Sequence, residues 1–488
     1  MNAKLWSAVA ASVLVATACG SSNDDSPVTV TPKNVIFFLG DGYGIVPMTA
    51  ARIYAAGEDG ALTMDTLPET AFVKTYSLDA QVTDSAPSMA AYMTGVKTRN
   101  EVLSMNGDTV AVAPGKDAAT GVSSAVNNCP ASGNGAAATT LLELAIANGR
   151  ATGVVTTARL THATPAATYA HICHRNAEYD IARQAVPGGA GFNAALGTGV
   201  DVLMGGISQY WRPYSAASRP SGRPDGRDLV AELQAKGYTF VNDLTSFNAA
   251  PTAAGSKLIG LYDFAPSEGH MSYELDRDPT KEPSLAEMTT KSIELLSKRD
   301  KGYFLMVEGG RIDHALHGTN AARMLADAKA FDDAIKAAID KVKLTDPDLK
   351  NTLIVVTADH DHTMVMNGYA AITGKTTATN PGILGLMRDY AAPATPALDA
   401  DGKPFTTLAF GNGENRIAGN RALMTALTDA AVTDKNYHQE AAIQMGIGGE
   451  THGGADVFLG ATGLGADGFH GVIDNIDVFN LVRTAVGL

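Results

Sequence analysis

Five apolar runs do more than any other feature to limit what this chain can fold into. They are VIFFL (35–39), TGVVTTA (152–158), DVLMGG (201–206), YFLMVE (303–308) and TLIVVT (352–357). The first four are mostly continuous rather than alternating, as expected for strands covered by helices on both faces. Alanine-rich helical candidates fall among them at 139–149, 228–237, 284–298 and 319–342. The alternation predicts an α/β, three-layer sandwich around a central, mostly parallel sheet. With 488 residues, 45% of them apolar, the chain can bury a large core, and its 50 glycines suit many tight strand–loop–helix turns. Residues 363–449, rich in Thr, Asn, Pro and Gly, break the pattern and read as an insertion over the site rather than an independent domain.

The first 18 residues read as an export leader. Lys4 supplies the positive charge, and the apolar stretch 5–18 is too short to span a bilayer comfortably. Ala16, Thr17 and Ala18 then precede Cys19 and the polar stretch 20–26. This resembles a bacterial lipoprotein signal, in which Cys19 would be lipidated. Ala16 stands where such signals usually have Leu, and an ordinary cleaved leader is the alternative. The expected location is periplasmic or outer-membrane-anchored, with 19–32 as a tether and 33–488 as the folded domain. The only membrane contact expected is through a lipid on Cys19. Export favours pairing Cys129 with Cys173, two buried free thiols being the alternative. The formal net charge of −14 argues against nucleic acid as a main partner. Arg212, Arg219, Arg223 and Arg227 form a local exception, read as a solvated loop.

Acidic or histidine-rich motifs follow several of the runs, where open α/β sheets place their chemistry. Asp41 ends NVIFFLGDG, a motif that on its own fits any strand followed by an Asp-Gly turn. Ser85, in Asp84-Ser85-Ala86-Pro87, sits near a helix start, where backbone N–H groups favour an anion; a plain helix cap is the alternative. Glu308, Asp313 and His317 crowd into VEGGRIDHALHG, and the four-residue spacing of Asp313 and His317 puts both on one helix face. Asp359 and His360 end TLIVVTADH, with His362 as a further group behind them. His452, in GETHGG, gains weight only from the other motifs. Oxygen and nitrogen ligands gathered beside a serine suggest metal-assisted phosphoryl transfer.

From about residue 33 to 488 the chain resembles the alkaline phosphatases. The matching stretches are LGDGYG, TDSAPSMAAYMTGVKT, GVVTTARLTHATPAATYAH, VEGGRIDHALHG, VVTADHDH, FTTLAFGNGEN and ETHGGADVFL. The resemblance implies that Ser85 is the nucleophile that becomes phosphoserine, and that Arg175 clamps the phosphate. It implies one zinc on Asp313, His317 and His452, and a second on Asp41, Asp359 and His360. A third ion, usually magnesium, would be shared by Asp41, Glu308 and Thr164. His162 occupies a position where some bacterial members have Asp, and His314 one where some have Lys; animal members have His at the first. With His362, these two are expected to stand behind the ligands, and a neutral imidazole at 162 would hold magnesium less strongly. Three divalent ions against four carboxylates leave the site positive, which suits a phosphate monoester dianion. The resemblance further implies small phosphomonoester substrates, an alkaline optimum, a homodimer, and a crown-like role for 363–449. Two other readings stand beside it. One is a phosphodiesterase or sulfatase on the same scaffold, the other a non-catalytic metal- or phosphate-binding lipoprotein.

Overall fold

A computed structural model describes residues 33–488. The expectations for the leader, Cys19 and the tether up to residue 32 lie outside the described residues. Eight strands come first in the chain: β1 (Asn34–Gly40), β2 (Glu69–Lys74), β3 (Ala151–Arg159), β4 (Val202–Gly206), β5 (Tyr238–Val241), β6 (Lys257–Tyr262), β7 (Tyr303–Gly309) and β8 (Thr352–Ala358). With Val457–Gly463 and Gly471–Asp474 they make one ten-stranded sheet. Its order is Gly471–Asp474, β2, Val457–Gly463, β8, β1, β7, β3, β4, β6, β5. Only Val457–Gly463 runs antiparallel to its neighbours, β8 and β2.

All five apolar runs are strands of this sheet, and β7 and β8 are buried along their whole length. Neighbouring residues of β1 show why a continuous run is required. Phe37 faces Tyr92 on the helix Ser85–Thr94, with ring centroids 5.7 Å apart, while Phe38 faces Phe331 on the helix Ala321–Lys343 at 5.9 Å. Successive strand side chains point to opposite faces, so each face of β1 meets a different helical layer. Truncating either ring to Ala would cost about 3–5 kcal/mol.

Residues 363–449 contribute no strand to the large sheet. They contain a separate three-stranded sheet of Met364–Met366, Leu408–Gly413 and Ala441–Gln444. Cys129 and Cys173 form a disulfide. The arginine-rich loop departs from the solvated reading at Arg223. That side chain is buried, ion-pairs with Asp225, and donates to the carbonyls of Tyr179 and Tyr210. Arg212 and Arg227 are likewise paired, with Asp228 and Glu232. Among the described residues, no helix is long and apolar enough to cross a membrane.

Candidate metal centre and nucleophile

Strand register brings the first carboxylates together. Leu39 of β1 lies opposite Glu308 of β7 on one side and Thr357 of β8 on the other. Asp41, Glu308 and Asp359 therefore leave the same edge of three adjacent strands. Gly42, at φ +67°, turns the chain away, and its N–H donates to Asp359 Oδ1 at 2.9 Å. No side chain fits there, since a Cβ would fall 2.4 Å from His362 Nε2.

Ser85 opens a ten-residue helix as its first residue, with Asp84 in the capping position before it. Two hydroxyls of that helix fasten it to the end of β8. Ser88 Oγ donates to the Asp359 carbonyl at 2.7 Å and Tyr92 Oη to the Ala358 carbonyl at 2.9 Å. Ser85 Oγ is thereby held 3.3 Å from Asp41 Oδ1 and 3.1 Å from His360 Nε2. Asp41, Asp359 and His360 offer ligand atoms that all lie within 4.8 Å of one another.

A second group forms around Asp313. His317 Nε2 lies 3.2 Å from Asp313 Oδ1 and 3.2 Å from His452 Nε2, and His452 Nε2 lies 3.6 Å from Asp313 Oδ1. Ring nitrogens that converge on one carboxylate oxygen from separate elements are arranged as ligands of a shared cation are. His452 arrives through a two-residue antiparallel pairing, in which it lies opposite His362. His362 links Asp313 to Glu450. Its Nε2 is 2.8 Å from Asp313 Oδ1 and its Nδ1 is 2.5 Å from Glu450 Oε2. Glu450 also accepts from the backbone N–H and hydroxyl of Thr363.

A third group joins Asp41, Glu308 and His162, again with ligand atoms within 4.8 Å. Thr164 Oγ1 stands 3.5 Å from Asp41 Oδ2, and Thr156 of β3 donates to Glu308 Oε2. Arg175 reaches this end of the crevice. Its Nη2 lies 2.9 Å from His162 Nε2, and its Nη1 forms an ion pair with Asp84.

The electrostatics fit cations. Burial, reinforced by Asp313, drives the Asp41 carboxyl up to about 7, and burial with Asp41 drives Asp359 up to about 8. Glu308 is pushed well above the carboxylate range by burial and by Asp41. Glu308 Oε1, Asp359 Oδ2 and His162 Nδ1 are buried without a hydrogen-bond partner. Carboxylates crowded in this way need positive charge, and the oxygen and imidazole donors suit zinc and magnesium. Asp313 differs: burial pushes it up, but His317 and His362 outweigh burial and hold it well below the ordinary value. Burial alone would lower His362, yet Glu450 and Asp313 raise it to about 10.

The site residues expected from the sequence thus gather at the carboxyl edge of the sheet, His314 joining them with its ring centroid 5.2 Å from that of His162. Glu450, Asp84 and Thr156 were not singled out by sequence reasoning, although Glu450 and Asp84 stand inside the motifs ETHGG and TDSAP. A fourth omission, His270, packs on His314 with ring centroids 3.9 Å apart.

A family model described as alkaline phosphatase matches residues 32–488. The chain is similar to the tissue-nonspecific alkaline phosphatase isozyme of Gallus gallus. The two are 37% identical over 469 residues, spanning 90% of this chain and 82% of that protein. The isozyme of Homo sapiens is 35% identical over 470 residues, spanning 91% and 82%. Among solved structures, Thermus thermophilus alkaline phosphatase aligns with a TM-score of 0.65 at 23% identity, covering 96% of each chain. The alkaline phosphatase of the Antarctic bacterium TAB5 aligns with a TM-score of 0.60 at 24% identity, covering 94% of this chain and 99% of its own. These two alignments speak for the fold, and the sequence relatives and family model speak for descent: the chain belongs to the alkaline phosphatase family.

Proposed function

We propose that the protein hydrolyses small phosphate monoesters through a phosphoserine at Ser85. The observation that supports this best is the position of Ser85 Oγ, 3.3 Å from Asp41 Oδ1 and 3.1 Å from His360 Nε2 at the first residue of a helix. Asp313, His317 and His452 would hold one zinc, and Asp41, Asp359 and His360 a second. Asp41, Glu308 and Thr164 would hold magnesium, with His162 alongside. When bound, these ions would stabilise negative charge on the attacking and leaving oxygens.

The chain's own groups do the rest. Backbone N–H groups at the start of the Ser85 helix face the phosphate. Arg175, braced by Asp84, binds two of its oxygens. Ser85 Oγ loses its proton to solvent and attacks phosphorus in line with the ester oxygen. The P–O ester bond breaks, and the departing alkoxide takes a proton from water. A second water then displaces Ser85 Oγ, which regains a proton as inorganic phosphate leaves.

We further propose residues 363–449 as a crown-like insertion over the active site, and the protein as a homodimer. We also propose a location outside the cytoplasm, which the Cys129–Cys173 disulfide supports, with Cys19 as the tether. The test is aryl-phosphate hydrolysis by wild type and Ser85→Ala, with a phosphodiester and a sulfate ester as competing substrates. Undiminished turnover in Ser85→Ala rejects the nucleophile, and a preference for the diester or the sulfate rejects the substrate class.

A further inference from the structure

Beside the third group stands a histidine for which the mechanism above has no use. His270 is buried in the loop after β6, and its backbone lies against Gly206 at the end of β4. A Cβ on Gly206 would fall 2.8 Å from His270 Cα, so the loop approaches as closely as a glycine allows. Arg159, the last residue of β3, flanks both ring nitrogens, and a neutral imidazole accepts at one of them. The Arg159 backbone N–H donates to His270 Nδ1 at 3.1 Å, and its guanidinium Nη1 lies 2.9 Å from Nε2. Glu178 fixes the same guanidinium through Nε at 2.7 Å. The His270 ring packs on His314, and both rings meet His162 edge-on, with centroids 5.6 and 5.2 Å away. His162 in turn touches Arg175, whose other side is taken by Asp84.

We propose that His270, gripped by Arg159, is a positioning residue for Arg175. The three imidazoles form a wedge that fixes the direction of His162 and, through it, the plane of the Arg175 guanidinium. A planar guanidinium binds two phosphate oxygens together only when it faces them squarely, so a loosened wedge weakens anion binding more than it slows chemistry. This role rests on the reading of Arg175 as the phosphate-binding arginine.

The test measures binding of inorganic phosphate by calorimetry, and KM and kcat for an aryl phosphate, on the metal-loaded full chain. Wild type, His270→Ala, Arg175→Ala and the double variant are compared. His270→Ala is expected to weaken phosphate binding about tenfold and raise KM similarly, with kcat within about threefold of wild type. In the Arg175→Ala background the same substitution should change phosphate affinity by less than about twofold, because the partner it positions is gone. His270→Phe keeps the ring volume but releases Arg159, and guards against a misfolded Ala variant; its expected loss is about threefold. Phosphate affinity unchanged in both His270 variants, or an undiminished loss in the Arg175→Ala background, overturns the proposal. A wild type that neither binds phosphate nor hydrolyses the ester would instead reject the underlying phosphatase reading.

Discussion

Two clusters at the sheet's carboxyl edge respond to burial in opposite ways. Around Asp41, Asp359 and Glu308, burial pushes carboxyls toward their protonated form. Around His162, His270 and His314, burial pushes imidazoles toward their neutral form, and nearby positive groups, Arg159 and Arg311 among them, push the same way. The first cluster lacks positive charge and is built to accept cations. The second already has its cations, in Arg159, Arg175 and Arg311, and its imidazoles are left to shape the site. Asp41, Glu308 and His162 form the seam between them.

Stripping divalent ions with a chelator should have the largest effect on this contrast. Aryl-phosphate turnover is expected to fall about 10³-fold or more, with a lower thermal midpoint, and to recover on adding zinc. Turnover that survives chelation would break the account of the acidic cluster. Glu450→Gln comes next, since it removes the charge facing His362 Nδ1. It should weaken metal retention about 10–100-fold, read as the chelator concentration that halves activity. His162→Asp moves the seam itself by placing a third carboxylate beside Asp41 and Glu308. Magnesium retention should tighten about tenfold in a titration of chelated protein; an unchanged titration would mean that the imidazole does not limit the third ion.

The smallest effect on turnover, though not on stability, concerns a buried carboxyl outside the three ligand groups. Burial pushes Asp327, on the helix Ala321–Lys343, up to about 8, against the pull of Arg311. The folded value lies above the unfolded one, so the native state keeps a proton that the unfolded chain has lost. Stability therefore falls as pH rises from about 4 to about 8, by at most about 1.4 kcal/mol per pH unit. Asp327→Asn should remove that slope without touching hydrolysis. Denaturant melts at pH 5 and pH 8 check this, and parallel slopes in the two proteins would refute it.

Continuous runs such as VIFFL could be assigned as strands because a strand buried on both faces has a distinctive pattern. Three other strands of the large sheet lacked that mark, although β6, buried from Leu258 to Tyr262, carries it. β2 alternates between buried and exposed residues, while β5 and Gly471–Asp474 have only four residues each. Asp41, Ser85, Glu308, Asp313 and Asp359 stood out because each follows an apolar run or opens a helix. Thr156 could not, since its meaning comes from lying opposite Glu308 across two strands 152 positions apart. His270 was hidden for the same reason: its loop carries no motif, and its neighbours come from β3, β4 and the helix Arg311–His317.

The antiparallel strand Val457–Gly463 imposes an order of assembly. β8 and β2 belong to one sheet only through this segment, which lies between them and pairs with both, and His452 and Glu450 lie just ahead of it in the chain. During synthesis, Asp313 and His317 emerge long before the partners that complete their cluster. A half-made chain can pair β1, β7 and β8 yet cannot close that cluster. Any ion that this cluster holds would therefore wait for residues close to the end of the chain.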